Sequence, residues 1–302
     1  MLKNLEHFVQ VLKIEKNHSL NTINSYLSDL KSFEKYLVKR KISFKQIINE
    51  TEILQKYFRY LNRTKISPTT IKRKYSSLSS YFFYLIDRKI INKNPLNGIY
   101  TPKLKKKLPT ILSIEEIKRI FNQSENTDNE LLGLRDRCII ELLYSCGLRV
   151  SELCELKVNN IQFDANVIRF YGKGNKERII PLTFYAKEWL EKYLYQSRQI
   201  LSNRKSSEQK FVFLSNNGKR LTRAAIWQSI KKYVNAAGIT KTVSPHTFRH
   251  SFATHLVDGG ANLIEIQKLL GHSDISTTEI YVHLSKEFID SEYMKAFDKK
   301  KN

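Results

Sequence analysis

Seven side chains in this sequence are of the types that could together break and remake a phosphodiester bond. Leu270-Gly-His-Ser-Asp-Ile-Ser-Thr-Thr-Glu-Ile-Tyr281 sets His272 nine residues before Tyr281. Ser244-Pro-His-Thr-Phe-Arg-His250 sets His246 and Arg249 one helical turn apart. Gly147-Leu-Arg-Val-Ser-Glu-Leu153 carries Arg149 with Glu152 one turn later, and Gly172-Lys-Gly-Asn-Lys176 carries Lys173. Cutting a strand with a side chain needs a nucleophile in line with phosphorus. It needs cations on the non-bridging oxygens and a general acid for the departing sugar oxygen.

Each residue has a plainer reading too. Tyr281 is one of sixteen tyrosines. A phenol with a pKa of about 10 attacks only where cations lower the cost of its anion. Arg149 and Glu152 could be a surface i,i+3 pair worth roughly a few tenths of a kcal/mol. They could equally be a bidentate phosphate ligand and the carboxylate that orients it. Lys173 lies in a tight turn, where it is either solvated or the proton donor to the leaving oxygen, and Lys176 in the same turn competes for that role. His250 and His255 read as structural histidines. The histidines lack carboxylates at ligand spacing, and Arg249 among them would repel a cation, so no metal is expected. A Gly-x-x-x-x-Gly-Lys-Ser/Thr loop is absent, so neither ATP nor another cofactor is expected.

The surroundings suit a polyanion. Lys and Arg number 52 against 29 Asp and Glu, a net charge of +23. Residues 1–110 hold 23 basic and 7 acidic side chains. That concentration in a small domain suggests a phosphate-facing surface. No apolar run is long enough to span a membrane and the first residues form no continuous apolar core, so a cytoplasmic protein with no membrane partner is expected. Cys138, Cys146 and Cys154 are an odd set without a C-x-x-C pair and read as reduced core thiols.

The elements that must position these groups are mostly helical. Four helices are expected in the first hundred residues, one capped by Ser19, one opened by Thr51 and one started by Ser67-Pro68. Together they make a small bundle. Thr101-Pro-Lys-Leu-Lys-Lys-Lys-Leu-Pro109 reads as a linker. The division is therefore an N-terminal helical domain over 1–100, a basic linker over 101–110 and a second domain over 111–302. In the second, Ser113-Ile-Glu-Glu116 fits a capping box and a helix runs from about Asp128 to Cys146, ending at Gly147. A hairpin pairs Asn166–Tyr171 with Glu177–Pro181, and Phe211-Val-Phe213 is a candidate third strand. The fold class is mainly α with a small antiparallel sheet.

The four motifs, in order and covering nearly the whole chain, resemble the tyrosine recombinases, and more narrowly the bacterial Xer type. The resemblance implies that Arg149, Lys173, His246, Arg249 and His272 activate the phosphodiester, with Glu152 supporting Arg149 and Tyr281 as nucleophile. None of the family's active positions departs from the pattern. It implies a SAM-like core-binding domain followed by a catalytic domain, and a 3′-phosphotyrosyl intermediate. It further implies action on a double-stranded recombination site, resolving chromosome dimers at a dif-like sequence. The partners implied are a second copy or a paralogue in a tetramer on two DNA sites, with a DNA translocase as a further candidate. The apolar residues of the segment from about 285 to 302, Phe288 and Phe297 among them, would dock into a neighbouring subunit. The alternatives are the integrase of a mobile element, a type IB topoisomerase and an architectural DNA-binding protein. The last leaves Tyr281 and its partners unexplained.

Overall fold

The computed structural model describes residues 2–262 except 17, 65, 100–108, 172–176 and 204–208, together with residues 264, 266 and 291. The expected linker and the 285–302 segment fall largely outside these residues. The chain divides into two compact units, residues 1–107 and 108–302.

The first unit is helical: α1 (Leu5–Ile14), α2 (Leu20–Lys39), α3 (Phe44–Asn49), α4 (Thr51–Arg63) and α5 (Pro68–Asp87). The starts follow from local chemistry. Ser19 Oγ accepts the Thr22 N–H at 3.2 Å, and Ser67 Oγ accepts that of Thr70 at 3.2 Å ahead of Pro68. These bonds satisfy amide groups that a helix start leaves without partners. Phe8, Phe33, Leu54, Tyr81 and Phe82 are buried at the centre, each contributing roughly 1.5–3 kcal/mol. One buried carboxylate ties α2 to α5. Asp29, 2% exposed, meets Arg73 at 2.6 Å and Lys74 at 3.3 Å. The bundle thus has five helices among the described residues, not the expected four. The added α3 is six residues long, too short for a visible hydrophobic period, although Ser43 and Gln46 form a capping box at its start.

The second unit opens with α6 (Ile114–Glu125), whose capping box pairs Ser113 N–H with Glu116 Oε2 at 2.7 Å and Glu116 N–H with Ser113 Oγ at 3.2 Å. Next, α7 (Glu130–Ser145) is buried over most of its length. Asn129, not Asp128, caps it by accepting the Leu132 N–H at 3.0 Å. The short α8 (Val150–Glu155) leads through a 3₁₀ turn into an antiparallel sheet in the order β1 (Ile161–Gln162), β2 (Val167–Tyr171), β3 (Glu177–Pro181).

The hairpin has the expected partners, but the third strand is a different segment. Phe211 makes only an isolated bridge to Lys157, and Ile161–Gln162 completes the sheet. The Phe211–Phe213 run is apolar because it is buried against α7 and a π-helical turn (Tyr193–Arg198), not because it joins the sheet. Phe213 stacks on Tyr193 at 5.3 Å between ring centroids. The chain continues through α9 (Phe184–Lys192), α10 (Gln199–Ser202), α11 (Arg223–Ala236) and α12 (Pro245–Asp258). Cys138, Cys146 and Cys154 are buried free thiols in this unit's core. Among the described residues no helix is long and apolar enough to cross a membrane.

Candidate active site

The site is built where α7 ends. Gly147 takes φ +58°, a left-handed conformation that a side chain would strain. Leu148 then turns fully inward and Arg149 caps α8 in an extended conformation. The Glu152 carboxylate folds back over this cap. It accepts the Arg149 backbone N–H at 2.7 Å and the Arg149 guanidinium at 2.9 Å. A second guanidinium, that of Arg178, reaches the same carboxylate at 2.5 Å. Glu152 is 16% exposed, Arg178 15% and Arg149 37%, so this is a half-buried, charge-assisted cluster with Arg149 facing outward.

Arg249 joins it from α12. That helix starts at Ser244-Pro245, where Ser244 N–H donates to Thr247 Oγ1 at 3.0 Å. Arg249 is 8% exposed and donates to the Gly147 carbonyl. Burial, then the charges of Arg149 and Arg178, pull its guanidinium down to about 10, with Glu152 opposing. Three guanidinium groups therefore gather around one carboxylate. A buried cation held against like charges lacks a counterion, and a phosphodiester would supply one.

The two helices that carry the arginines are also joined behind them. Tyr144 on α7 and His255 on α12 share a hydrogen bond of 2.9 Å. Burial holds the His255 ring below its usual pKa and raises the Tyr144 phenol, so the pair is neutral and structural, as expected for His255. Ser251 adds a second tie from α12, accepting the Leu112 N–H at 2.9 Å just ahead of α6.

Of the residues singled out in the sequence, Arg149, Glu152 and Arg249 meet. His246 sits exposed on the first turn of α12, and His250 is exposed one turn on. Lys173, its competitor Lys176, His272 and Tyr281 lie outside the described residues. Arg178 was missed, because it looked like the tail of a turn motif. The pairing register held the signal. Arg178 alternates with Ile180, which is fully buried, and pairs with Phe170. An arginine therefore stands where the strand's inward face calls for an apolar residue.

Comparison with known proteins adds a second line of observation. Residues 110–287 match the model described as the phage integrase family, and residues 5–89 match the phage integrase N-terminal SAM-like domain. Tyrosine recombinase XerD of Staphylococcus haemolyticus is 40% identical over 96% of this chain and 96% of its own length. The protein of the same name from Staphylococcus aureus strain N315 is 39% identical with the same coverage. Among solved structures, XerH site-specific recombinase bound to its difH substrate before cleavage aligns with a TM-score of 0.68 and 27% identity, over 95% of this chain and 84% of that one. A lambda integrase dimer on a core site aligns at 0.62 with 21% identity, over 91% of this chain and 97% of that one, a likeness of fold.

Proposed function

The chain belongs to the phage integrase family as a Xer-type site-specific tyrosine recombinase, an enzyme of DNA strand exchange, and from that premise we propose how its own residues do the work. Tyr281 attacks the scissile phosphate of a double-stranded recombination site. Its oxygen bonds to phosphorus as the bond to the 5′ oxygen breaks, which leaves a 3′-phosphotyrosyl link. Arg149 and Arg249 hold the non-bridging oxygens with His272. Lys173 protonates the departing 5′ oxygen, and His246 takes the tyrosine proton. A 5′ hydroxyl from the partner strand then reverses these steps. The phosphodiester energy is retained in the tyrosyl link, so the cycle consumes no nucleotide.

The observation that carries this reading is the gathering of Arg149, Arg178 and Arg249 around the single Glu152 carboxylate, with Arg249 buried and depressed in pKa. Preorganised cations of this kind stabilise the charge that builds on a phosphorane-like transition state. The test is a nicked duplex carrying a candidate dimer-resolution site from the protein's own genome. Wild-type protein should form a covalent adduct, and mass spectrometry of the digested adduct should put the nucleotide on the peptide that contains Tyr281. An adduct on any other side chain, or none, overturns the assignment.

The biological reading is resolution of chromosome dimers at a dif-like site in the cytoplasm. It is supported by the recombinases of that type to which the chain is similar. The working assembly is a tetramer on two sites, made by this chain alone or with a paralogue, and a DNA translocase is the regulator class that the resemblance adds. In that assembly the apolar segment from Phe288 onward docks into a neighbouring copy. Deleting residues 288–302 should leave binding to a single site within about twofold and reduce paired-site exchange at least roughly tenfold, a loss of about 1.4 kcal/mol. Gel-shift and recombination assays on the same preparation read both numbers. Full exchange by the truncated protein would refute the docking role.

A further inference from the structure

We propose that Arg178 is a positioning residue that ties the turn bearing Lys173 to the phosphate-binding arginines through Glu152. The inference rests on Lys173 being the general acid, as read above. Arg178 lies in β3, and the last two pairs of the β2–β3 ladder, Phe170 with Arg178 and Tyr171 with Glu177, stand immediately before the turn 172–176. Whatever fixes Arg178 therefore fixes the base of that turn.

Two features show that Arg178 is held for a reason other than solubility. Its register puts it on the inward face with Ile180, where an unpaired charge would be costly. Its guanidinium meets Glu152 at 2.5 Å, on the carboxylate that also takes the Arg149 guanidinium at 2.9 Å. One half-buried carboxylate thus bridges two chain segments, 26 residues apart, that carry different parts of the chemistry. Arg149 neutralises phosphate oxygen, and the turn after β2 presents the proton donor. Sharing Glu152 sets the distance between these two functions. A lysine at 178 could carry the charge but not the planar fork that holds one carboxylate oxygen at a fixed angle.

Leaving-group chemistry separates this role from phosphate binding and from a purely structural one. A scissile phosphate whose 5′ bridging oxygen is replaced by sulfur departs without a proton donor. On ordinary DNA, Arg178→Ala should slow adduct formation about a hundredfold, the scale of an ångström-level misplacement. On the sulfur-bridged substrate most of that deficit should disappear, to within about fivefold of wild type. Arg178→Lys should fall between the two. A thermal melt of each variant, with binding to the uncut site, reports whether the fold survives. An Arg178→Ala deficit that is equal on both substrates in a folded, DNA-binding protein overturns the proposal and makes Arg178 part of the phosphate site. Lys173→Ala, run alongside, tests the reading beneath it. If sulfur does not relieve that variant, Lys173 is not the acid and the inference falls with it. If sulfur relieves Lys173→Ala but not Arg178→Ala, only the inference falls.

Discussion

Tyr281→Phe should abolish the covalent protein–DNA adduct while leaving affinity for the recombination site within about twofold of wild type, a change under roughly 0.5 kcal/mol. The substitution removes one oxygen and keeps the ring, so packing around residue 281 changes little. Nothing else in the proposed set can replace the hydroxyl. Arginine and lysine in this setting are cations, and a histidine phosphoramidate would not survive the denaturing gel that a phosphotyrosine does. The chain has sixteen tyrosines, so an adduct that persists in Tyr281→Phe would mean a different nucleophile, and strand cleavage measured on the nicked duplex would show it directly. Among the described residues, burial raises the phenol pKa of Tyr57, Tyr81, Tyr144, Tyr193 and Tyr233. Those phenols are harder to ionise than a free one, which argues against them as stand-ins.

Arg249→Met should lower cleavage by a factor of about 100 to 1,000, the usual loss on removing one transition-state donor, without lowering the melting temperature of the free protein. The two parts of this expectation come from the same geometry. Arg249 is buried beside Arg149 and Arg178, and its pKa falls from 12.5 to about 10. That shift corresponds to an electrostatic penalty on the order of 3 kcal/mol in the DNA-free fold. The lost bond to the Gly147 carbonyl costs about 1–2 kcal/mol. The penalty outweighs the bond, so the apolar, similarly sized methionine is neutral or stabilising. The sign with pH follows. A cation whose folded pKa is depressed destabilises the fold at all pH below that pKa, neutral pH included, and the effect fades as pH rises past about 10. A clear drop in melting temperature at pH 7 would show that Arg249 serves the fold rather than the phosphate.

The helices were readable in the sequence wherever a cap and a first turn coincide. Ser19, Ser67-Pro68, Ser113 with Glu116, and Ser244-Pro245 each stand at an observed helix start. Elements too short to show a period were not readable. The helix α3 has six residues and β1 has two, and the π-helical turn at Tyr193–Arg198 depends on packing against Val212 and Phe213. Phe211–Phe213 misled for the opposite reason. Aromatic and β-branched residues fit a strand and a buried loop equally well, and only the neighbours decide. In the site, Arg149, Glu152 and Arg249 were legible because turn, residue type and spacing agree. Arg178 was not, since its meaning comes from a carboxylate 26 residues away in sequence.

The joint between α7 and α12 has a consequence for how the protein breathes. Arg249 is bonded to the carbonyl of Gly147, two residues from Arg149, and the same two helices are pinned by Tyr144 and His255. Neither arginine can leave its place through a local fluctuation of its own helix without disturbing the other. In hydrogen-exchange terms the end of α7 and the first half of α12 form one cooperative opening unit. The protein therefore switches between a state with both phosphate ligands in register and one with neither. Half-assembled sites, which could cut a strand and fail to hold it for rejoining, are kept out of the native ensemble.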